Sequence, residues 1–123
     1  MVVCQDQGLG VIPYSPLEGG FLTGKYRQGK PLPAKARGAA SANVQRYMTD
    51  HNFALIDKME KIGRAHNATV AQVAIAWMLA NPVITSPIIG ANTVDQLTDT
   101  IGALTVELTD EDKTVLDEMS AWE

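Results

Sequence analysis

Two short apolar runs, each ending in a turn and separated by helical sequence, constrain this chain most. The first is Leu9-Gly-Val-Ile-Pro-Tyr14 and the second is Val83-Ile-Thr-Ser-Pro-Ile-Ile-Gly90. Each reads as a strand, because apolar and β-branched residues cluster in it and turn residues bound it. Pro13 would lose a ladder hydrogen bond in mid-sheet, so it belongs near the strand end. Apolar residues dominate both ends of the second run, as in a strand covered on both faces. Strands separated by helices pair in parallel, with their loops gathered at the strand C-termini. The turns after Tyr14 and at Gly90 are therefore expected to open on the same side.

The helices are signalled by caps and by spacing. Thr49 or Asp50 caps a helix in which Phe53, Ile56, Met59 and Ile62 recur at helical intervals, and Asn67 stops it. Thr69 and Gln72 have capping-box spacing and open a second helix, with Val70, Val73, Ala74, Trp77 and Met78 on one face. Trp77 reads as a core anchor, and Pro82 ends that helix. Thr93 and Gln96 form another capping box, followed by Leu97, Ile101 and Leu104 on one face. Thr109 to Asp112 caps a last helix with Val115, Leu116 and Met119 facing inward; its acidic first turn suits the positive end of the helix dipole. Val2, Val3 and Cys4 read as the last apolar turn of a helix stopped by Gly8 and Gly10, with its start expected before Met1.

At 123 residues the chain could bury one modest core. Its net charge of −4 provides no global field for nucleic acid or anionic lipid. No signal peptide or membrane span is visible. The single cysteine, Cys4, excludes an internal disulfide and fits a reducing compartment, so the cytoplasm is expected. One cysteine with two scattered histidines gives no zinc pattern, and no metal site is expected. His51 and His66 are expected to be exposed helix residues. There is no nucleophile elbow and no Walker loop.

Residues 27–49 show little periodicity. Arg27, Lys30, Lys35, Arg37 and Arg46 supply the charges there, with Gly29, Pro31, Pro33 and Gly38 as punctuation. Such a segment reads either as a solvated basic loop or as a lid over an anion. It lacks interleaved aromatic residues and is a poor nucleic-acid candidate.

The chemistry concentrates between Val11 and Tyr26. A strand breaks at Tyr14 and Ser15 into a loop carrying Gly19, Gly20 and Gly24, with Lys25 further on. A flat ring, glycines that allow close backbone approach and a lysine suit a phosphate-bearing aromatic cofactor.

Gly10-Val-Ile-Pro-Tyr-Ser-Pro-Leu-x-Gly-Gly-x-Leu-Thr-Gly-Lys-Tyr26 resembles the seventh-strand segment of aldo/keto reductases. Thr69-Val-Ala-Gln-Val-Ala-Ile-Ala-Trp-Met-Leu79 is similar to the family's helix before strand eight, and Pro87-Ile-Ile-Gly-Ala-Asn-Thr-Val-Asp-Gln-Leu97 to strand eight and its cofactor turn. The three segments stand in family order and span nearly the whole chain. The resemblance implies an α/β fold, the C-terminal portion of a (β/α)8 TIM barrel: strands seven and eight with their helices, plus a terminal extra helix. Residues 1–123 would form a single partial domain, incomplete as a barrel. It also implies NADP(H), or NAD(H), as cofactor, and an aldehyde or ketone as the small-molecule substrate of the intact enzyme. Barrel phosphate sites are commonly built after strands seven and eight.

Residue by residue, the resemblance implies that Tyr14 stacks on the nicotinamide. Ser15, Leu17 and Gly19 would lie near the pyrophosphate, with Lys25 as its cationic contact. Gly90, Ala91 and Asn92 would form the turn beside the adenosine 2′-phosphate, with Gln96 a polar contact at the adenosine end. Asp99 and Thr100 stand where many relatives carry Glu-Asn for the adenine. Thr100 lacks that amide, and Asn92 replaces the arginine found at the 2′-phosphate in many members. The family's Tyr, Lys, Asp and His tetrad lies on early strands, and no segment here matches it. Tyr26, Tyr47, His51 and His66 fall in the wrong context, so no catalytic residue is assigned. The expected function is the cofactor-binding part of a carbonyl reductase, inactive alone; the alternative is a non-catalytic nucleotide-binding or interaction module. Two barrel strands leave unpaired edges, so marginal stability, self-association through those edges, or docking on a partner that supplies the missing strands is expected.

Overall fold

The computed structural model describes residues 2–121. Met1, expected to continue the first helix, lies outside them, as do Trp122 and Glu123. Seven α-helices are described: α1 (Val2–Asp6), α2 (Arg37–Ala40), α3 (Ala42–Gln45), α4 (Asp50–His66), α5 (Val70–Leu79), α6 (Val94–Gly102) and α7 (Asp110–Met119). Ala103–Thr105 is a 3₁₀ turn, and Glu18–Thr23 comprises 3₁₀ turns broken by a kink at Gly19 and Gly20.

The caps explain the helix starts. Thr49 Oγ1 accepts the Asn52 amide at 3.2 Å, and α4 stops where Asn67 turns left-handed with φ 53°. Thr69 and Gln72 form the reciprocal capping box of α5, as Thr109 and Asp112 do for α7. At α6 only half of the expected box forms. Thr93 Oγ1 accepts the Gln96 amide at 3.2 Å, but the Gln96 side chain reaches one residue further back, to the Asn92 amide at 2.9 Å. The open turn ahead of α6 leaves that amide within its reach.

The core is helical. Ile56, Met59 and Ile62 of α4, Val70, Val73 and Ala74 of α5, and Leu116 of α7 pack with Phe21, Tyr26 and Val44. Leu55 joins them from α4, beside a half-buried Phe53. α5 is buried more broadly than one stripe, since Ala71, Ile75 and Ala76 are also covered. That fits the central helix of a layer.

The two expected strands do not form. The runs 9–14 and 83–90 meet only through two isolated parallel bridges, Val11 with Ile84 and Tyr14 with Ile88. The Thr85 amide donates to the Val11 carbonyl at 2.8 Å, and the Ile88 amide to the Pro13 carbonyl at 2.9 Å. The register slips by one residue between these bridges, because three steps on the first segment match four on the second. Pro13 and Pro87 also remove donors from the interval. A slipped, proline-bearing pair cannot build a ladder. The second segment is not covered on both faces either: Ile88 and Ile89 are 49% and 37% exposed. Its bridges among the described residues are to the first segment alone, which leaves its other edge unpaired among them.

Residues 27–49 are more ordered than their sequence suggests. Tyr26 is buried, and its hydroxyl accepts the Gly38 amide at 2.8 Å. Arg27 reaches Asp57 and Glu60 of α4 at 3.4 and 3.3 Å, and Gln28 donates to Asp50 at 2.6 Å. These contacts fasten the segment to α4. Among the described residues no helix is long and apolar enough to cross a membrane.

Candidate functional site

The two parallel bridges set the geometry of the candidate site. They run the segments in one direction, so the Tyr14 loop and the Gly90 turn leave from the same end. Tyr14 is itself a bridge residue, yet its side chain is 82% exposed. The backbone therefore fixes an aromatic ring that packing leaves uncovered.

Beyond Tyr14 the chain turns through left-handed conformations. Ser15 and Glu18 adopt φ 58° and 46°, and Gly19, Gly20 and Gly24 take 64°, 95° and 75°. A non-glycine residue there costs about 1–2 kcal/mol, so the loop holds Ser15 and Glu18 against their preference. Its own hydrogen bonds impose the shape: the Glu18 amide donates to Ser15 at 2.9 Å, the Gly20 and Leu22 amides donate to Leu17 at 2.9 and 3.2 Å, and the Thr23 hydroxyl donates to Gly20 at 2.7 Å. Phe21 anchors the loop in the core, with ring centres 6.5, 6.3 and 5.9 Å from Tyr26, Tyr47 and Phe53. Leu17 packs against the same core.

Two cations border this loop. Lys25 Nζ lies 5.3 Å from the centre of the Tyr26 ring. A Cβ at Gly20 would stand 2.6 Å from that nitrogen, so the bare glycine gives the ammonium its place. Arg37 is the second: its Cδ would lie 3.5 Å from a Cβ at Gly19. Sequence reasoning noted Arg37 only as one charge of a basic stretch. Its position depends on Tyr26 holding Gly38 beneath it, a pairing across 12 residues that no local signal announces.

On the second segment, Gly90, Ala91, Asn92 and Gln96 are all exposed. The Gln96 side chain pins the turn through the Asn92 amide. Asp99 and Thr100 are turned elsewhere. The Asp99 carboxylate accepts the Thr69 hydroxyl at 3.2 and 3.3 Å, its carbonyl accepts from Gln72 at 2.9 Å, and the Thr100 hydroxyl donates back to Gln96 at 2.8 Å. The turn thus presents backbone and one amide side chain, while Asp99 fastens α6 to α5.

One cleft lies away from this surface. About 460 Å³ opens beside Trp77, Asn81, Pro82, Asp110, Lys113 and Asp117, at the start of the second extended segment. Lys113 there is already paired with Asp110 at 3.1 Å, and the Trp77 indole donates to Asp117 at 2.7 Å. An anionic ligand would meet two carboxylates in it, so its chemistry argues against such a ligand despite its size. His66 is not an exposed residue, in contrast to expectation. It is half-buried, with Nε2 2.7 Å from Asp112 Oδ2. His51 is exposed, and its Nε2 meets the Met119 carbonyl at 2.7 Å. Both histidines thereby join α4 to α7, remote in sequence from the two loops.

The family model of the aldo/keto reductase family matches residues 1–121. The chain belongs to the aldo/keto reductase family. It is 42% identical over 112 residues to the uncharacterized oxidoreductase YrpG of Bacillus subtilis, covering 91% of this chain and 31% of that protein. It is 35% identical over 113 residues to the aldo-keto reductase yakc [NADP(+)] of Schizosaccharomyces pombe, covering 89% and 32%. The glycerol dehydrogenase AKR11B4 from Gluconobacter oxydans superposes with a TM-score of 0.73 at 23% identity, over 94% of this chain and 35% of that one. The fold is therefore that of the (β/α)8 family, of which this chain carries a part. It spans about a third of the length of the curated relatives it matches.

Proposed function

We propose that this chain is the cofactor-holding part of a nicotinamide-dependent oxidoreductase that reduces an aldehyde or ketone. The observation that carries the reading is the Tyr14–Ile88 bridge, which sets an exposed ring and two loops at one end of the fold. The residues fit a dinucleotide: the glycine cradle has room at Gly20 only because no Cβ fills it, and Lys25 and Arg37 border it. When bound, the dinucleotide supplies hydride to the carbonyl carbon.

In this reading Tyr14 offers its ring face to the nicotinamide and selects which face of that ring is presented. Ser15, Leu17, Gly19 and Gly20 offer backbone groups to the pyrophosphate, with Lys25 and Arg37 as its cations. Gly90, Ala91, Asn92 and Gln96 take the adenosine end, while Asp99 and Thr100, engaged with Thr69, Gln72 and Gln96, support that turn from behind. Protonation of the carbonyl falls to a tyrosine outside this chain's match, so the chain alone is expected to bind without turnover. The cytoplasm is the compartment this reading supposes.

NADP(H) is the first choice, supported by the NADP(+) in the name of the Schizosaccharomyces pombe relative. One observation favours NAD(H) as the second reading. No Lys or Arg occurs between Arg64 and Lys113, and Asp95 stands in the first turn of α6. A 2′-phosphate beside Asn92 would gain backbone amides but no cation from this segment. Titration with NADPH and with NADH, read by the reduced cofactor's own fluorescence, tests both readings. Saturable binding of either supports a dinucleotide site and the tighter one assigns the preference. Neither binding at millimolar concentration removes the proposal.

A further inference from the structure

One carboxylate stands inside the glycine loop. Glu18 is half-buried, its amide is turned back onto the Ser15 carbonyl at 2.9 Å, and its backbone is held at φ 46°. A negative charge there opposes an anion that the backbone of Ser15, Gly19 and Gly20 would receive. None of the ion pairs among the described residues includes Glu18.

The helix packed on this loop brings a cation near it. Val44 of α3 lies so close to Gly19 that a Cβ there would stand 2.8 Å from its Cγ2. Two residues later α3 is capped by Arg46. The Arg46 guanidinium lies over the Tyr47 ring, 5.1 Å from its centre, and donates to the Tyr47 hydroxyl at 3.1 Å. Tyr47 is fixed in turn. Its ring centre is 6.3 Å from that of Phe21 in the loop, and its carbonyl accepts the Asn52 side chain at 2.9 Å. The Tyr47 hydroxyl, first through its hydrogen bond and then through its charge, and more weakly the Glu18 carboxylate, hold the Arg46 guanidinium above its ordinary range. Arg46 is thus an exposed cation kept near Glu18 by a ring rooted in the loop's own core.

We infer that Arg46 is a positioning residue that offsets the charge of Glu18 and so keeps the glycine loop receptive to a pyrophosphate. It acts through Glu18, whereas Lys25 and Arg37 border the loop themselves. The inference rests on the proposed dinucleotide site and adds to it a pair of side chains that need not touch the ligand. If Arg46 only covered Tyr47, its removal would not depend on whether Glu18 is charged.

A double-mutant cycle makes that distinction. Binding of NADPH is measured by its fluorescence, and binding of inorganic pyrophosphate separately by the Gly19 and Gly20 amide shifts. Arg46→Gln should weaken both ligands about fivefold, and Glu18→Gln should tighten both about threefold. In the Glu18→Gln background, Arg46→Gln should cost less than about twofold. Arg46→Lys should stay within about twofold of the parent, because it keeps the charge. An equal loss with and without the Glu18 charge overturns the inference, as does no loss, or a loss that lysine fails to rescue. Weaker binding by Glu18→Gln overturns it too, since the carboxylate would then serve the ligand. Pyrophosphate binding with the expected coupling, but without NADPH binding, removes the dinucleotide reading and leaves the inference standing. Binding of neither ligand by the parent removes both.

Discussion

His66 Nε2 lies 2.7 Å from Asp112 Oδ2, joining the last residue of α4 to the first turn of α7. The same carboxylate oxygen accepts the Thr109 amide at 3.1 Å, completing the cap of α7. One atom thus serves both helix initiation and docking of the helix that delivers Leu116 to the core.

This arrangement predicts an acid-side loss of stability. Burial pushes the Asp112 carboxyl up, but hydrogen bonds from His66 and Thr109 outweigh it and hold the group below its ordinary range. A carboxylate lowered by folding contributes fully above its unfolded pKa, about 3.9, and the contribution fades as pH falls through the lower folded value. Melting temperatures between roughly pH 2 and pH 6 should show Asp112→Asn less stable than the parent by about 1–2 kcal/mol at the upper end and converging with it at the lower end. A constant difference across that range would contradict the assignment.

Tyr26→Phe should cost about 1–3 kcal/mol, because it leaves the Gly38 amide buried without its acceptor. Denaturant unfolding of parent and variant measures this. The same variant should weaken cofactor binding, since Gly38 sits next to Arg37 over the glycine loop. An unchanged midpoint would mean that Gly38 finds another acceptor.

Gly20→Ala should lower dinucleotide affinity about tenfold or more. At φ 95° any side chain is strained, and the added methyl displaces the flexible Lys25 ammonium, 2.6 Å away, from its place beside the loop. Lys25→Ala and Arg37→Ala should each weaken binding by a similar factor, with the loss shrinking at high salt because exposed charge contacts are screened. Equilibrium dialysis with NADPH at two ionic strengths checks all three. A loss independent of salt for the lysine and arginine variants would place them outside the charge contacts.

The helices were legible in the sequence because their signals are local. Thr49, Thr69 and Thr109 each cap at the position read from a few neighbouring residues, and Ile56, Met59 and Ile62 show the expected burial. The strands were only half legible. Apolar runs announce extended chain, but a ladder needs an unbroken register, and here it slips between Val11 and Tyr14 against Ile84 and Ile88. The outward direction of Leu97 and Ile101 was also hidden, since spacing identifies a face but not what covers it. In the candidate site the motifs of both loops were readable. The contacts that hold them were not: Tyr26 to Gly38 and Asp99 to Thr69 link residues at least 12 apart.

The central claim is that the Tyr14 loop and the Gly90 turn form one dinucleotide surface. Backbone amide chemical shifts of the isotope-labelled chain, followed during titration with NADPH and then NADH, test it most directly. The account predicts saturable shifts concentrated at Tyr14–Lys25 and Gly90–Gln96, with the cleft around Trp77 and Asp117 unmoved. Shifts confined to that cleft, shifts in only one of the two loops, or none at millimolar cofactor would contradict it.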